Sequence, residues 1–208
     1  MKVKSANFIK SCADPIEASG GAFTPQICVA GRSNCGKSSL LNMLMGAKLC
    51  KTSSTPGRTR LINVFEVRVG AEENAPVPEK FYFVDLPGYG FAAAARQDAE
   101  EWNARTESYF SAAAADIAQA LCLMDIRRDP SDLDKTLINY FRDMGVPFTV
   151  LLTKADKLSR SQAGNAKIKI ASSLGLARDN LIVTSSLDKI GREQVLERLE
   201  AVISSFCE

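Results

Sequence analysis

The stretch Gly31-Arg32-Ser33-Asn34-Cys35-Gly36-Lys37-Ser38 lies directly between the apolar run Ile27-Cys28-Val29-Ala30 and the segment Ser39-Leu40-Leu41-Asn42-Met43-Leu44. This is the order of a strand, a glycine-rich phosphate loop and a helix, and it restricts the chain to folds that build such a unit. A loop that wraps a polyphosphate must aim several backbone N–H groups inward. It needs glycine where the chain turns tightly and where a Cβ would collide with phosphate. Gly31 and Gly36 fill those places. Lys37 can then set its ammonium on the β- and γ-phosphate oxygens, Ser38 can offer a hydroxyl to Mg²⁺, and the helix directs its positive dipole end at the anion. A nucleoside triphosphate is the expected ligand. The competing reading, a glycine turn in an ordinary βα unit, loses ground as the later motifs accumulate.

The rest of the chain supplies the frame. Apolar strand-like runs over 26–30, 61–69, 80–85, 118–125, 147–153 and 180–184 alternate with helix-like stretches near 37–46, 96–110, 132–144, 160–174 and 190–205. Such alternation predicts a mainly parallel sheet covered by helices on both faces, a three-layer α/β/α architecture. The connection from Gly70 to Glu79 is too short for a crossover helix and rich in breakers. The second and third runs should therefore pair as an antiparallel hairpin, giving a six-stranded sheet with one antiparallel edge strand. Residues 1–25 carry the turn-formers Asp14-Pro15, Ser19-Gly20-Gly21 and Thr24-Pro25, and read as an irregular N-terminal extension. Residues 26–208 are expected to form a single nucleotide-binding domain.

Composition narrows the chemistry. The chain contains no histidine, which removes His-based acid–base catalysis and most transition-metal sites and leaves oxygen ligands for a hard cation such as Mg²⁺. Six cysteines without C-x-x-C spacing read as reduced thiols, and no apolar h-region follows the N-terminus. No apolar stretch approaches membrane-spanning length, so a cytoplasmic location without membrane insertion is expected. Net charge is only +2, yet residues 154–192 hold eight basic against three acidic side chains. A solvated helix face is the commoner meaning of such a run and contact with RNA phosphate the other.

In open α/β sheets the ligand sits beyond the carboxyl ends of the strands, so the loops found there carry the remaining information. Asp85-Leu86-Pro87-Gly88 follows Phe81-Tyr82-Phe83-Val84: Asp85 can hold Mg²⁺ through water, and Gly88 can bring its N–H to the γ-phosphate. Thr153-Lys154-Ala155-Asp156 follows Val150-Leu151-Leu152. The Asp156 carboxylate can accept from guanine N1–H and the exocyclic amine, whereas adenine presents an acceptor at that ring nitrogen. The Lys154 stem can lie along the base. Thr184-Ser185-Ser186 can offer backbone N–H groups to guanine O6. One threonine of the polar loop Lys51–Arg60 should complete the Mg²⁺ shell and sense the γ-phosphate; Thr59 is preferred to Thr55.

Taken together, Gly31-Arg32-Ser33-Asn34-Cys35-Gly36-Lys37-Ser38-Ser39-Leu40-Leu41-Asn42, Thr55-Pro56-Gly57-Arg58-Thr59, Asp85-Leu86-Pro87-Gly88-Tyr89-Gly90, Asp125-Ile126-Arg127-Arg128 and Thr153-Lys154-Ala155-Asp156 resemble the EngB (YihA/YsxC) family. That family belongs to the TrmE–Era–EngA–EngB group of P-loop GTPases. The resemblance implies a GTPase fold and action in assembly of the bacterial large ribosomal subunit, with a link to cell division and septation. It implies GTP and GDP as ligands and the large subunit or its precursor, both rRNA and ribosomal proteins, as partner to a monomer. Carried over position by position, nucleotide contacts fall on residues 31–38 with Ser39; on Gly57, Arg58, Thr59, Arg60 and Leu61; on Asp85, Leu86, Pro87 and Gly88; on Thr153, Lys154, Ala155 and Asp156; and on Thr184, Ser185 and Ser186. Direct Mg²⁺ ligands fall on Ser38 and Thr59. The groups expected to act in hydrolysis are Lys37, Thr59, Gly88 and Asn34.

Two departures bear on mechanism. Thr153 stands where many GTPases carry asparagine, a substitution usual in this family. Tyr89 stands where many carry a water-orienting glutamine and lacks the amide, so intrinsic hydrolysis should be slow. Related GTPases with asparagine at the place of Asn34 can use K⁺ where others use an arginine finger, which makes Asn34 and the backbone of the 51–59 loop candidate K⁺ ligands. Cys35, near a helix N-terminus, could carry a lowered thiol pKa, although a small side chain is all that the loop requires. A nucleotide-gated septation module with little hydrolysis is the alternative function. A small-molecule kinase is a weaker one, since Asp156 argues for guanine.

Overall fold

The computed structural model describes residues 1–18, 24–51, 61–70, 78–90, 104 and 106–207. Its seven strands are β1 (Val3–Cys12), β2 (Gln26–Gly31), β3 (Ile62–Val69), β4 (Lys80–Asp85), β5 (Ile117–Asp125), β6 (Phe148–Thr153) and β7 (Leu181–Val183). They form one sheet in the order β1-β3-β4-β2-β5-β6-β7, in which only β3 runs against the others. The helices are α1 (Pro15–Ala18, a single turn), α2 (Lys37–Met45), α3 (described over 106–112), α4 (Asp132–Asp143), α5 (Arg160–Leu174) and α6 (Arg192–Cys207).

Alternation along the central strands builds the three layers. In β2, Cys28 and Ala30 face one side while Ile27 and Val29 face the other; in β5, Ala120, Cys122 and Met124 oppose Leu121 and Leu123. The first face packs on α3, α4 and α5 through Phe110, Leu137, Phe141, Ile170 and Leu174. The second packs on α2 and α6 through Leu40, Leu41, Leu44, Leu196 and Leu199. Fully burying a leucine stabilises by about 1.5–3 kcal/mol, so these five side chains hold the phosphate loop and its helix to a rigid base. Ser131 and Asp134 start α4 with a reciprocal capping box, as Ser159 and Gln162 start α5.

The three-layer architecture matches expectation, but the sheet has seven strands rather than six. Within the stretch read as an irregular extension, Val3–Cys12 forms a strand antiparallel to β3. It therefore takes the edge, and the antiparallel β3 is second from it. Most of the β1 side chains are exposed, so this strand is held by its backbone ladder and shows no apolar alternation. The predicted hairpin is present as the pairing Asn63↔Asp85 through Arg68↔Lys80. Of the helix predicted near 96–110, residues 96–103 and 105 lie outside the described residues.

Candidate functional site

β2 is buried throughout and delivers the phosphate loop to the sheet's carboxyl edge. Gly31 has no room for a side chain: a Cβ there would stand 2.7 Å from Cys35 Sγ and 2.8 Å from Leu123 O. Gly36, at φ 105°, turns the chain into α2, and Asn34 also sits in the left-handed region at φ 64°, which asparagine tolerates better than most residues. At the far end of α2, Arg192 of α6 donates to the carbonyls of Met43 (2.8 Å) and Leu44 (3.2 Å), satisfying groups the helix leaves open. Burial pushes the Cys35 thiol up to about 11 despite the nearby Lys37 charge, so its environment is the reverse of a reactive thiolate's.

Asp85 ends β4 beside this loop. Its Oδ1 is buried with no hydrogen-bond partner among the described residues, and burial pushes its carboxyl above the ordinary range against the pull of Lys37 and a hydrogen bond from Asn63. Asn63 is itself oriented from β1, where Ser11 donates to its Oδ1 at 2.6 Å. A buried, half-satisfied carboxylate beside the Ser38 hydroxyl's helix suits a hydrated hard cation. Gly88 lies over the loop: a Cβ there would come 3.0 Å from Lys37 Nζ and 3.1 Å from both Ser33 N and Ser33 Cα. Leu86 N donates to Val29 O (3.0 Å), so residues 86–88 leave β4 in contact with the loop's strand.

The residues expected to recognise the base form a second linked group. Thr153 Oγ1 lies 2.6 Å from Cys35 O and 3.1 Å from Met124 O, so this hydroxyl ties β6 to the phosphate loop. Lys154, at φ 62°, reaches across to Asn34 O (2.7 Å) and Asp125 Oδ2 (3.1 Å). Burial opposes the charge of Asp156, but Ser185 Oγ donates to its Oδ1 at 2.9 Å and Lys157 approaches its Oδ2 at 3.2 Å. These hold the carboxyl below its usual range. Ser185 is fixed in turn by its N–H to Ile190 O, and Thr184 by its N–H to Leu152 O. Thr153→Val would leave the buried Cys35 carbonyl without this donor, a cost of about 1–3 kcal/mol. Isothermal titration should show GTP and GDP weakened alike by about tenfold or more, with Thr153→Ser close to wild type.

The structure brings Gly31–Ser39, Asp85–Gly88, Thr153–Asp156 and Thr184–Ser186 to one end of the sheet. Leu61 immediately precedes β3, while Gly57, Arg58, Thr59 and Arg60, and with them Thr55, lie outside the described residues. Four of the eight basic residues in 154–192 are engaged: Lys154 with Asp125, Lys157 with Asp156, Lys169 with Asp129, and Arg192 with the end of α2. Half of the basic side chains in that stretch thus serve local ties. Sequence reading gave no role to Asn42, yet its Oδ1 accepts from Leu49 N (2.9 Å) and Cys50 N (2.8 Å) while its Nδ2 donates to Cys50 O (2.9 Å), anchoring the chain before residue 52. Nor did it foresee Asn63 or Asp134; an asparagine one turn after the loop was the only available signal.

The family described as 50S ribosome-binding GTPase matches residues 26–154. A probable GTP-binding protein EngB from Caldanaerobacter subterraneus is 38% identical over 204 residues, covering 98% of this chain and 99% of the relative. Another from Geobacter metallireducens is 38% identical over 206 residues, covering 99% and 95%. Among solved structures, a probable GTP-binding protein EngB superposes with TM-score 0.66 at 23% identity, covering 86% of this chain and 98% of that one. Aquifex aeolicus Era bound to GDP and AlF₄⁻ gives 0.70 at 18% identity, covering 87% and 57%. At those identities the two structures bear on the fold.

Proposed function

This chain belongs to the EngB family of GTP-binding proteins, and from that premise we propose that it is a Mg²⁺-dependent GTPase switch acting in assembly of the bacterial large ribosomal subunit. The observation that supports this most is the linkage of the phosphate loop to the base loop: Thr153 bonds Cys35 O, Lys154 bonds Asn34 O, and Asp156 stands in line behind them. Phosphate and guanine would then be held by one connected unit. The description of the matched family, 50S ribosome-binding GTPase, favours the large subunit as partner.

In this reading Lys37 sets its charge on the β- and γ-phosphates, Gly88 N–H meets the γ-phosphate, and Asp156 selects guanine. Ser38 and Thr59 would hold Mg²⁺ directly and Asp85 through water, and the bound ion would offset charge developing between the phosphates. With tyrosine after Gly88, hydrolysis without an activator is expected below about 10⁻² s⁻¹. K⁺ should raise that rate over Na⁺ through Asn34 and the 51–59 backbone; equal rates in the two salts would remove that role. EDTA should abolish turnover, and Mg²⁺ should restore it.

We place the protein in the cytoplasm as a monomer, with the family's link to division and septation following from subunit supply. No helix among the described residues is long and apolar enough to cross a membrane. Depleting the protein in its host should accumulate large-subunit precursors on sucrose gradients, with small subunits spared. A normal subunit profile under depletion would refute the assembly role.

A further inference from the structure

Resting on the GTPase reading above, we propose that the hydrogen bond from Tyr89 Oη to Asp134 Oδ1 is a latch that makes Tyr89 a specificity-determining residue for diphosphate against triphosphate. The bond is 2.7 Å long, and both residues are almost completely buried, at 4% exposure each. Asp134 is a firm anchor. Its Oδ2 accepts from Ser131 N (2.7 Å) in the α4 capping box, and α4 is seated on the sheet by Leu137, Ile138 and Phe141. From that anchor the latch fixes a segment lying on the phosphate loop: Tyr89 N donates to Gly31 O (3.3 Å), and Ser33 N donates to Tyr89 O (2.8 Å). Gly90 follows at φ 74°, its Cβ direction blocked by Arg32 Nε at 3.1 Å.

The consequence falls on Gly88. A Cβ on Gly88 would stand 3.1 Å from Ser33 N and Cα, so this segment lies close on the loop backbone; the 3.0 Å approach to Lys37 Nζ is to the free end of a flexible side chain. A γ-phosphate held by Lys37 and met by the Gly88 N–H would draw on the loop's inward N–H groups, and that of Ser33 is already given to Tyr89 O. Freeing it shifts the Tyr89 backbone and strains the tyrosine–aspartate bond. A diphosphate, which ends at the β-phosphate, imposes no such demand. The latch thus opposes the triphosphate state specifically, and by reciprocity the triphosphate loosens the grip of residue 89 on the start of α4. The surface that would report this is residues 127–134, where Arg127 and Arg128 precede the cap.

The test is the ratio of affinities for a non-hydrolysable GTP analogue and for GDP, measured by calorimetry with Mg²⁺. Tyr89→Phe keeps the ring and removes the hydroxyl, and should shift the ratio toward the triphosphate by about tenfold. Asp134→Ala removes the other partner and should shift it in the same direction. Because that change also destabilises the fold, Leu174→Ala, in α5 on the same face of the sheet, is the matched control: it should lower thermal stability and leave the ratio at the wild-type value. An unchanged ratio in Tyr89→Phe and Asp134→Ala, or an equal shift in Leu174→Ala, would overturn the latch while leaving the GTPase reading intact. Failure of the wild-type protein to bind either guanine nucleotide would overturn both.

Discussion

Asp156→Asn is expected to lower GTP and GDP affinity by about 10²–10⁴-fold and to raise affinity for xanthosine nucleotides correspondingly. As the proposed base selector, the carboxylate would accept two donors from guanine, N1–H and the C2 amine. An asparagine amide offers one acceptor and one donor, so it leaves the amine unpaired but matches xanthine, which carries a carbonyl at C2. Buried polar groups left without partners are what make such discrimination large. The protein should otherwise stay intact. Ser185 can still donate to the remaining carbonyl oxygen, and the lost contact with the exposed Lys157 is a surface pair worth at most about 1 kcal/mol. Competition titrations with GTP, GDP, XTP and ATP would read the change. Undiminished preference for GTP would remove Asp156 as the base selector.

Gly191→Ala is expected to cost about 2–5 kcal/mol, combining the strain of a left-handed residue with overpacking against fixed backbone. Gly191 has φ 74°, and an added Cβ would stand 2.3 Å from Val183 O, which cannot yield unless the end of β7 moves. In a chain of this size that cost corresponds to a fall in melting temperature of roughly 5–15 °C. Guanine binding should suffer as well. The Ser185 N–H to Ile190 O bond and the α6 entry at Gly191 hold the loop that presents Ser185 to Asp156. Gly145→Ala is the companion measurement: its φ is 65°, but nothing lies within 4 Å of the added Cβ, so only the strain remains. Equal melting shifts in the two variants would rule out the clash at Val183.

The motif loops are legible as a cluster because ligand chemistry sets residue types at set spacings, and the loops that carry Gly31, Gly36, Lys37, Asp85 and Asp156 do meet at one end of the sheet. The central strands were legible for a different reason: β2 and β5 are buried on both faces, so their apolar runs are nearly continuous, with Gln119 the one polar residue inside the β5 run. β1 was not, since its alternation is polar and its stability comes from pairing with β3, a relation between distant segments. The same limit hid Asn63, Tyr89 and Asp134 as partners. In the sequence Tyr89 stands out for the amide it lacks; its bond to a residue 45 positions away depends on how α4 seats against the sheet.

Co-sedimentation of the purified protein with large ribosomal subunits, in a non-hydrolysable GTP analogue and in GDP at several salt concentrations, tests the proposed switch most directly. The account predicts that the protein pellets with large subunits in the analogue and remains in the supernatant in GDP, and that the bound fraction falls as salt rises. Equal pelleting in the two nucleotides, or none in either, would contradict it.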